Sequence, residues 1–147
     1  MSNGSVSFYD YQKDSIINDV FVKVNNRPLG DVVQSMAYSN GKGYIVVNGS
    51  NKIEIINIAD FTQTGTISDV PNPRYVVIND GKAFISAWGD EGGNGSVEVV
   101  DLLTNKIVKS IAVGSGPEKM IIAKGKLLVA NSGGYSADSS VSVNDLS

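Results

Sequence analysis

The sequence predicts an all-β protein built from repeats of roughly 44 residues, and three recurring features predict it. The first is an aliphatic residue that opens a short alternating segment, at Val6, Ile53, Val97 and Val141. The second is a proline that precedes an apolar stretch, at Pro28, Pro73 and Pro117. The third is a turn glycine, at Gly41, Gly81 and Gly125. Because three independent markers keep nearly one spacing, we expect the chain to be a repeat array.

Each period reads as four short strands joined by tight turns. In the third period, residues 118–123 are apolar, Lys124-Gly125 turns the chain, and residues 127–131 are apolar again. Glycine supplies the positive φ that a two-residue hairpin turn needs. No window shows helical periodicity with capping residues. Four strands in about 44 residues are typical of one blade of a β-propeller.

The repeat predicts one β-propeller segment over residues 1–147, without a linker that would divide it. The predicted repeats are residues 5–51, 52–95 and 96–139, with a further repeat starting at 140–147. We expect the strand after the proline to lie innermost, beside the channel. The innermost strands are therefore expected at residues 31–38, 74–79 and 118–123.

Composition excludes several classes of function. Hydrophobic residues make up 41% of the chain and charged residues 18%, which is typical of a folded domain. The net charge is −3 and Lys and Arg form no run, so we expect no nucleic-acid partner. The chain has no Cys and no His, which excludes disulfides, Cys/His zinc sites and imidazole-based triads. No stretch approaches the roughly 18 apolar residues of a membrane span, and no motif predicts a cofactor.

The third period resembles the YVTN-type propeller repeat of bacterial YncE-like and surface-layer-type proteins. The resemblance rests on residues 97–101, 104–108, 111–114 and 116–117, and it extends over three copies. The tetrapeptide that gives the repeat its name has loose counterparts at residues 44–47, 84–87 and 128–131, and only the last of them, Leu-Val-Ala-Asn, keeps the asparagine. The resemblance implies a bacterial propeller exposed in the periplasm or on the cell surface.

About three blades are too few to close a ring, since known propellers have roughly four to eight. Two apolar sheet faces are then left open, which is unfavourable in water. Two explanations are consistent with the sequence. The chain is a truncated piece of a longer propeller, or a homodimer closes the ring in trans.

Basic residues flank the three prolines, and they are the first candidates for a ligand site. Arg27, Arg74 and Lys119 could converge at the channel mouth with Glu118 beside them, and such a cluster could hold an anionic ligand. The alternative is that these are solvated loop charges, some of them paired with Asp31 or Asp69.

Two further candidates lie in loops. Trp88 is the only tryptophan and is expected at the channel mouth, where it could stack on a sugar, base or peptide or simply cap its sheet. Asp90, Glu91 and Asn94 supply oxygen ligands for a hard cation such as Ca²⁺, in a glycine-rich loop that matches neither the EF-hand nor the nonapeptide spacing. Such loops are more often plain connections.

Two functions follow from these observations. The first is a non-catalytic scaffold that recognises a ligand or protein partner through its channel-mouth loops. The second is a fragment of a propeller enzyme of the quinoprotein dehydrogenase or lyase kind. Because the chain lacks histidine and shows no catalytic constellation, the sequence favours the scaffold.

Overall fold

Antiparallel strands make up nearly all of the regular structure. The computed structural model describes residues 3–90 and 95–146. Within these ranges the chain forms one α-helix, α1 (Val20–Asn25), a single 3-10 turn and thirteen strands. The strands are β1 (Phe8–Asp10), β2 (Ser15–Ile17), β3 (Val33–Ser39), β4 (Lys42–Val47), β5 (Lys52–Asn57), β6 (Gln63–Ile67), β7 (Pro73–Asn79), β8 (Lys82–Ala87), β9 (Ser96–Asp101), β10 (Lys106–Ala112), β11 (Pro117–Ala123), β12 (Lys126–Asn131) and β13 (Val141–Asp145).

The strands form three successive sheets and one hairpin. The first sheet has the order β3-β4-β5-β6, the second β7-β8-β9-β10 and the third β11-β12-β13, while β1 pairs with β2. Every pair is antiparallel and joins strands that follow each other in the chain. The prediction of an all-β chain with about three such sheets is therefore confirmed.

A two-residue turn joins the first two strands of each sheet. The turn residues are Asn40-Gly41, Asp80-Gly81 and Lys124-Gly125, and all six have positive φ. Two positive φ values in succession define the type I′ turn, whose twist matches that of the strands it joins. Because the three turns are equivalent, a residue in the first sheet corresponds to the residue 40 positions later in the second sheet. A residue in the second sheet corresponds to the residue 44 positions later in the third. The first strands β3, β7 and β11 lie side by side along one axis.

The core lies between the sheets. The side of each sheet that faces the next sheet is called here its rear face, and the opposite side its front face. At the first junction the first sheet contributes its rear residues and the second sheet its front residues: Tyr44, Val46, Ile53, Ile55, Val76, Ala83, Ile85, Ala87 and Val100. At the second junction the rear of the second sheet meets the front of the third through Phe84, Val97, Val99, Met120, Leu127 and Val129. Full burial of one such side chain stabilises the fold by about 1.5–3 kcal/mol.

The N-terminal segment covers the front face of the first sheet, and here the structure adds an element that the sequence pattern did not predict. Helix α1 lies in this segment, and its Phe21 is buried with Leu29 against Ile45 and Val47. The helix has only six residues and no side-chain cap, so neither periodicity nor capping residues signal it. Because this helix is inserted, Pro28 is not equivalent to Pro73. The equivalent residue in the first sheet is Val33, which begins β3 as Pro73 begins β7.

Candidate functional site

The loops before the first strand of a sheet and after its second strand meet on one face. Pro73 pairs with Ala87, and the N–H of Trp88 donates to the carbonyl of Asn72 at 3.1 Å. In the third sheet the N–H of Ser132 donates to the carbonyl of Gly116 at 2.9 Å. The two kinds of loop therefore lie at the same end of the sheets. This end of the sheets is called the loop face, and it comprises residues 68–72, 88–90, 113–116 and 132–140.

A row of three hydrogen-bonded side chains crosses the first strands just below the loop face. Gln34, Arg74 and Glu118 are the second residues of β3, β7 and β11. Arg74 Nε donates to Glu118 Oε1 at 2.9 Å, and Arg74 Nη1 donates to Gln34 Oε1 at 3.0 Å. The side chains of Arg74 and Glu118 are 18% and 20% exposed, so this pair is better shielded than a surface salt bridge. We call these three residues the polar row, and it ties all three sheets together.

Aromatic rings lie above the centre of the polar row. The guanidinium of Arg74 is 4.3 Å from the centre of the Trp88 ring, which is a cation–π distance. Trp88 in turn contacts Tyr135 edge to face, with ring centres 5.5 Å apart. Tyr135 is 85% exposed, while the Trp88 Nε1 is buried and has no hydrogen-bond partner among the described residues. The rings thus extend from the partly buried polar row to solvent.

Lys119 brings a second positive charge to this region. It follows Glu118 in β11 and is exposed, with its ammonium 5.9 Å from the centre of the Tyr75 ring. The structure therefore places Arg74, Glu118 and Lys119 on the first strands of two neighbouring sheets, and Trp88 in the adjoining loop. These are four of the five side chains that the sequence proposed for a ligand site.

Arg27 lies elsewhere. It donates to both carboxylate oxygens of Glu54 at 3.1 and 2.9 Å, and its guanidinium is 5.0 Å from the centre of the Phe21 ring. The three basic residues flanking the prolines therefore do not converge, because Gln34 and not Arg27 holds the place equivalent to Arg74. The carboxylate partners of the two arginines are Glu54 and Glu118, where the sequence suggested Asp31 or Asp69.

Glu54 is a buried carboxylate held by two positively charged side chains, Arg27 and Lys52. The Glu54 side chain is 1% exposed and also accepts hydrogen bonds from Lys52 at 2.6 Å and Thr66 at 3.1 Å. Burial by itself raises the pKa of Glu54, but the hydrogen bonds and charges of Arg27 and Lys52 outweigh it, and the pKa is lowered. A carboxylate with a lowered pKa stabilises the fold above its unfolded pKa, near ~4.3, and loses that contribution as the pH falls through its folded pKa.

We expect the free energy of unfolding to fall less steeply with decreasing pH in the Glu54→Gln variant than in the unmodified protein. Glutamine cannot titrate, so the part of the pH dependence that comes from this carboxylate is removed. The free energy of unfolding in urea, measured between about pH 7 and pH 3, checks this. Equal slopes below about pH 4.5 for the two proteins would contradict it.

The acidic loop lies largely outside the described residues. Asp90 is exposed, whereas Glu91 and Asn94 belong to the part of the chain that the structure does not describe. Over residues 3–90 and 95–146, no three His, Cys, Asp or Glu side chains group in a way that could hold a metal ion. In the same ranges no helix has the length and apolarity needed to cross a membrane.

Two residues of the site, Gln34 and Tyr135, were not among the candidates predicted from the sequence. Gln34 is a neutral residue, and its role follows only from the equivalence of the strand positions. Tyr135 lies in a glycine- and serine-rich loop that reads as a plain connection. An alignment of the three periods on the turn glycines, in preference to the prolines, would have placed Gln34 in the row.

The chain is similar to several solved β-propeller structures. It matches hydrazine synthase of Kuenenia stuttgartiensis with a TM-score of 0.67 and 18% identity, over 85% of this chain and 37% of that one. It matches BamB from Moraxella catarrhalis with a TM-score of 0.56 and 16% identity, over 76% and 32%. Glutaminyl cyclase of Myxococcus xanthus gives 0.53 and 12%, over 78% and 56%. These likenesses establish the propeller fold, and the chain spans about a third to a half of the length of these proteins.

The sequence itself places the chain in a family. No curated protein matches it significantly. The YVTN-type assignment stays a prediction, since the structural likenesses extend to propellers in general. A family model described as "Domain of unknown function (DUF5074)" matches residues 1–143, and the chain therefore belongs to this family.

Proposed function

We propose that this chain is a non-catalytic binding scaffold that recognises a ligand or a protein partner at its loop face. The observation that carries the proposal is the stack formed by Arg74, Trp88 and the exposed Tyr135 above the polar row. The Tyr135 ring is 85% exposed and contacts Trp88 at one edge, so it offers an aromatic contact surface to a partner.

The charges near this stack favour a polar ligand of low net charge. Glu118 neutralises Arg74, which reduces the attraction of the site for an anion. What remains is the ring face of Tyr135, the Trp88 ring and the exposed Lys119 nearby. Aromatic rings bind the apolar faces of sugars and of peptide side chains. We infer that the ligand is a carbohydrate or a peptide segment.

The enzyme alternative draws its support from the fold. Two of the similar structures are called a synthase and a cyclase. Sequence identities of 18% and 12% support a shared fold but do not support a shared reaction. No arrangement of the described residues favours catalysis over binding, so the scaffold remains the proposal. Turnover by a longer form of this protein, with catalytic residues in further blades, would favour the enzyme.

Ring completion and localisation belong to the same proposal. A channel mouth needs more blades than the three sheets described, and either a longer propeller or a second chain in trans would supply them. The resemblance to YVTN-type propellers supports a place in the periplasm or on the cell surface. Fractionation of the producing cells tests the location.

We expect the Tyr135→Ala variant to bind its carbohydrate or peptide ligand about two- to twelvefold more weakly, because an aromatic contact contributes roughly 0.5–1.5 kcal/mol. Trp88 is the only tryptophan, so its fluorescence reports binding directly when panels of oligosaccharides and short peptides are titrated. The matched control is Tyr11→Ala, since Tyr11 is 87% exposed and also contacts another ring edge to face, but lies in the β1–β2 turn.

The control decides how the titration is interpreted. Unchanged affinity in the Tyr11 variant with weaker binding in the Tyr135 variant supports the loop face as the site. A ligand that binds both variants as tightly as the unmodified protein would place the site elsewhere. If no member of either panel changes the Trp88 fluorescence, the proposed ligand classes are wrong.

A further inference from the structure

Asparagine followed by glycine occurs four times in the chain, at Asn3, Asn40, Asn48 and Asn94. Asparagine loses ammonia without an enzyme most readily in this dipeptide, because glycine has no side chain to hinder attack by its main-chain nitrogen. The attack needs an asparagine side chain that can rotate and a following N–H that is not held in a strong hydrogen bond. The fold therefore determines which asparagine reacts. Asn94 lies outside the described residues.

Two of the three described pairs are restrained by hydrogen bonds. Next to Asn3, the N–H of Gly4 donates to the carbonyl of Gly30 at 2.7 Å. The side-chain Nδ2 of Asn48 donates to the carbonyl of Pro73 at 3.0 Å, and Asn48 begins the single 3-10 turn. Each pair must therefore break a hydrogen bond before it can react. Breaking one such bond slows the reaction by about two- to twelvefold.

The third pair, Asn40-Gly41, has no comparable restraint. Asn40 is exposed, and its side chain has no hydrogen-bond partner among the described residues. Gly41 is exposed as well, and a Cβ built on it would meet nothing within 4 Å. The N–H of Gly41 donates at 3.3 Å to the hydroxyl of Tyr38, which is a long hydrogen bond to a side chain that is 66% exposed. Both reacting groups are therefore accessible and weakly held.

The conformation of this turn also favours the attack. Asn40 has φ 49° and Gly41 has φ 75°, which are the signs of a type I′ turn. A type II′ turn keeps the positive φ of the first residue and reverses the sign at the second. Glycine adopts both signs, so the peptide between the two residues can rotate while the strands stay paired. In the type II′ form ψ of the first residue is about −120°, which brings the Gly41 nitrogen close to the Asn40 side chain.

We propose that Asn40-Gly41 is a site of spontaneous covalent modification, at which the asparagine is deamidated through a cyclic imide. The Gly41 nitrogen loses its proton to solvent and forms a bond to Asn40 Cγ. The Cγ–Nδ2 bond breaks, and Nδ2 takes up a proton from water and leaves as ammonia. Water then opens the imide, giving aspartate when it adds at Cγ and isoaspartate when it adds at the main-chain carbonyl carbon. This inference does not depend on the ligand proposed for the loop face.

The two products have different consequences for the first sheet. Asp80 holds the equivalent place in the second sheet with φ 46°, so aspartate suits this turn. Isoaspartate carries the main chain through the side-chain carbons and lengthens it by an atom. The pairing of Ser39 with Lys42, which closes the hairpin, is then distorted. Isoaspartate therefore loosens β3, the strand that carries Gln34 of the polar row.

The first test follows the three described pairs in the folded full chain at mildly alkaline pH, by mass mapping of proteolytic peptides over time. Asn40 is expected to deamidate about fivefold faster than Asn3 and Asn48, or more, because their hydrogen bonds must break first. In urea the three are expected to react at similar rates, since those hydrogen bonds are lost. Reaction of Asn3 or Asn48 as fast as Asn40 in the folded protein overturns the proposal, and so does an unchanged order of rates in urea.

The second test uses the equivalent turn of the third sheet, Lys124-Gly125, which has φ 50° and 72°. Asn40→Lys is the matched control and is expected to stop deamidation at the first turn while the protein stays folded. Lys124→Asn creates a new asparagine–glycine pair, which is expected to react within about threefold of the rate at Asn40, because the turn type is the same. Circular dichroism checks that both variants are folded. If the new asparagine reacts no faster than Asn48, the turn does not promote the reaction and the proposal is overturned.

Discussion

Replacing Gly116 with alanine is expected to lower the free energy of unfolding by about 2–5 kcal/mol. Gly116 has φ +58°, which is a left-handed conformation that costs a side chain roughly 1–2 kcal/mol. A Cβ there would also lie 2.0 Å from the backbone nitrogen of Gly134 and 2.7 Å from the carbonyl carbon of Gly133. Both are main-chain atoms, so no side chain can rotate away, and overpacking adds about 1–3 kcal/mol.

Gly125→Ala is the matched control for this substitution. Gly125 has φ +72°, yet nothing lies within 4 Å of the Cβ that alanine would add. It therefore carries the conformational cost alone, about 1–2 kcal/mol. Urea unfolding followed by circular dichroism measures both variants. Equal losses in the two proteins would mean that the contact with residues 133 and 134 does not constrain the loop face.

Phe84→Ala is expected to lower the free energy of unfolding by about 3–5 kcal/mol. Phe84 is 5% exposed at the second junction, where the rear of the second sheet meets the third. Removing its ring leaves a cavity that the surrounding strands cannot fill. The third sheet has Leu128 at the equivalent place, so Phe84→Leu tests how much of the loss is cavity. We expect the leucine variant to lose about 1–1.5 kcal/mol, as for a smaller change of buried volume.

The measurement is again the midpoint and slope of urea unfolding. A loss of several kcal/mol without a change in slope would show that the second and third sheets unfold together. A second transition in the alanine variant would show that the third sheet unfolds separately. A loss below about 1 kcal/mol for Phe84→Ala would contradict the burial of this ring.

The strands could be predicted because their signal is local. Two-residue turns with glycine, such as Asp80-Gly81, fix a hairpin by backbone conformation alone, and the alternating residues around them fix which side is buried. The expected innermost strands, 74–79 and 118–123, differ by one residue from β7 and β11. The first was expected at 31–38 and lies at Val33–Ser39, because Pro28 was taken as the start of the repeat.

The site could be predicted only in part, because its contacts join different sheets. Trp88 and Arg74 could be assigned to the same end of the sheets from the repeat alone. The partner of each arginine could not, since it depends on which strand lies opposite. Arg27 reaches Glu54 because helix α1 directs the chain across the first sheet, and a helix of six residues without a side-chain cap leaves no pattern to recognise.

The polar row also has a consequence for how the sheets find their neighbours during folding. Near-identical repeats are at risk of assembling in the wrong order or of exchanging units between chains. Gln34, Arg74 and Glu118 occupy one equivalent position with three different side chains, and the arginine finds an acceptor on both sides only when it is in the middle. A swapped order would place Glu118 next to Gln34 and leave the arginine with one partner. The three different side chains therefore favour the native order of the sheets over a swapped order.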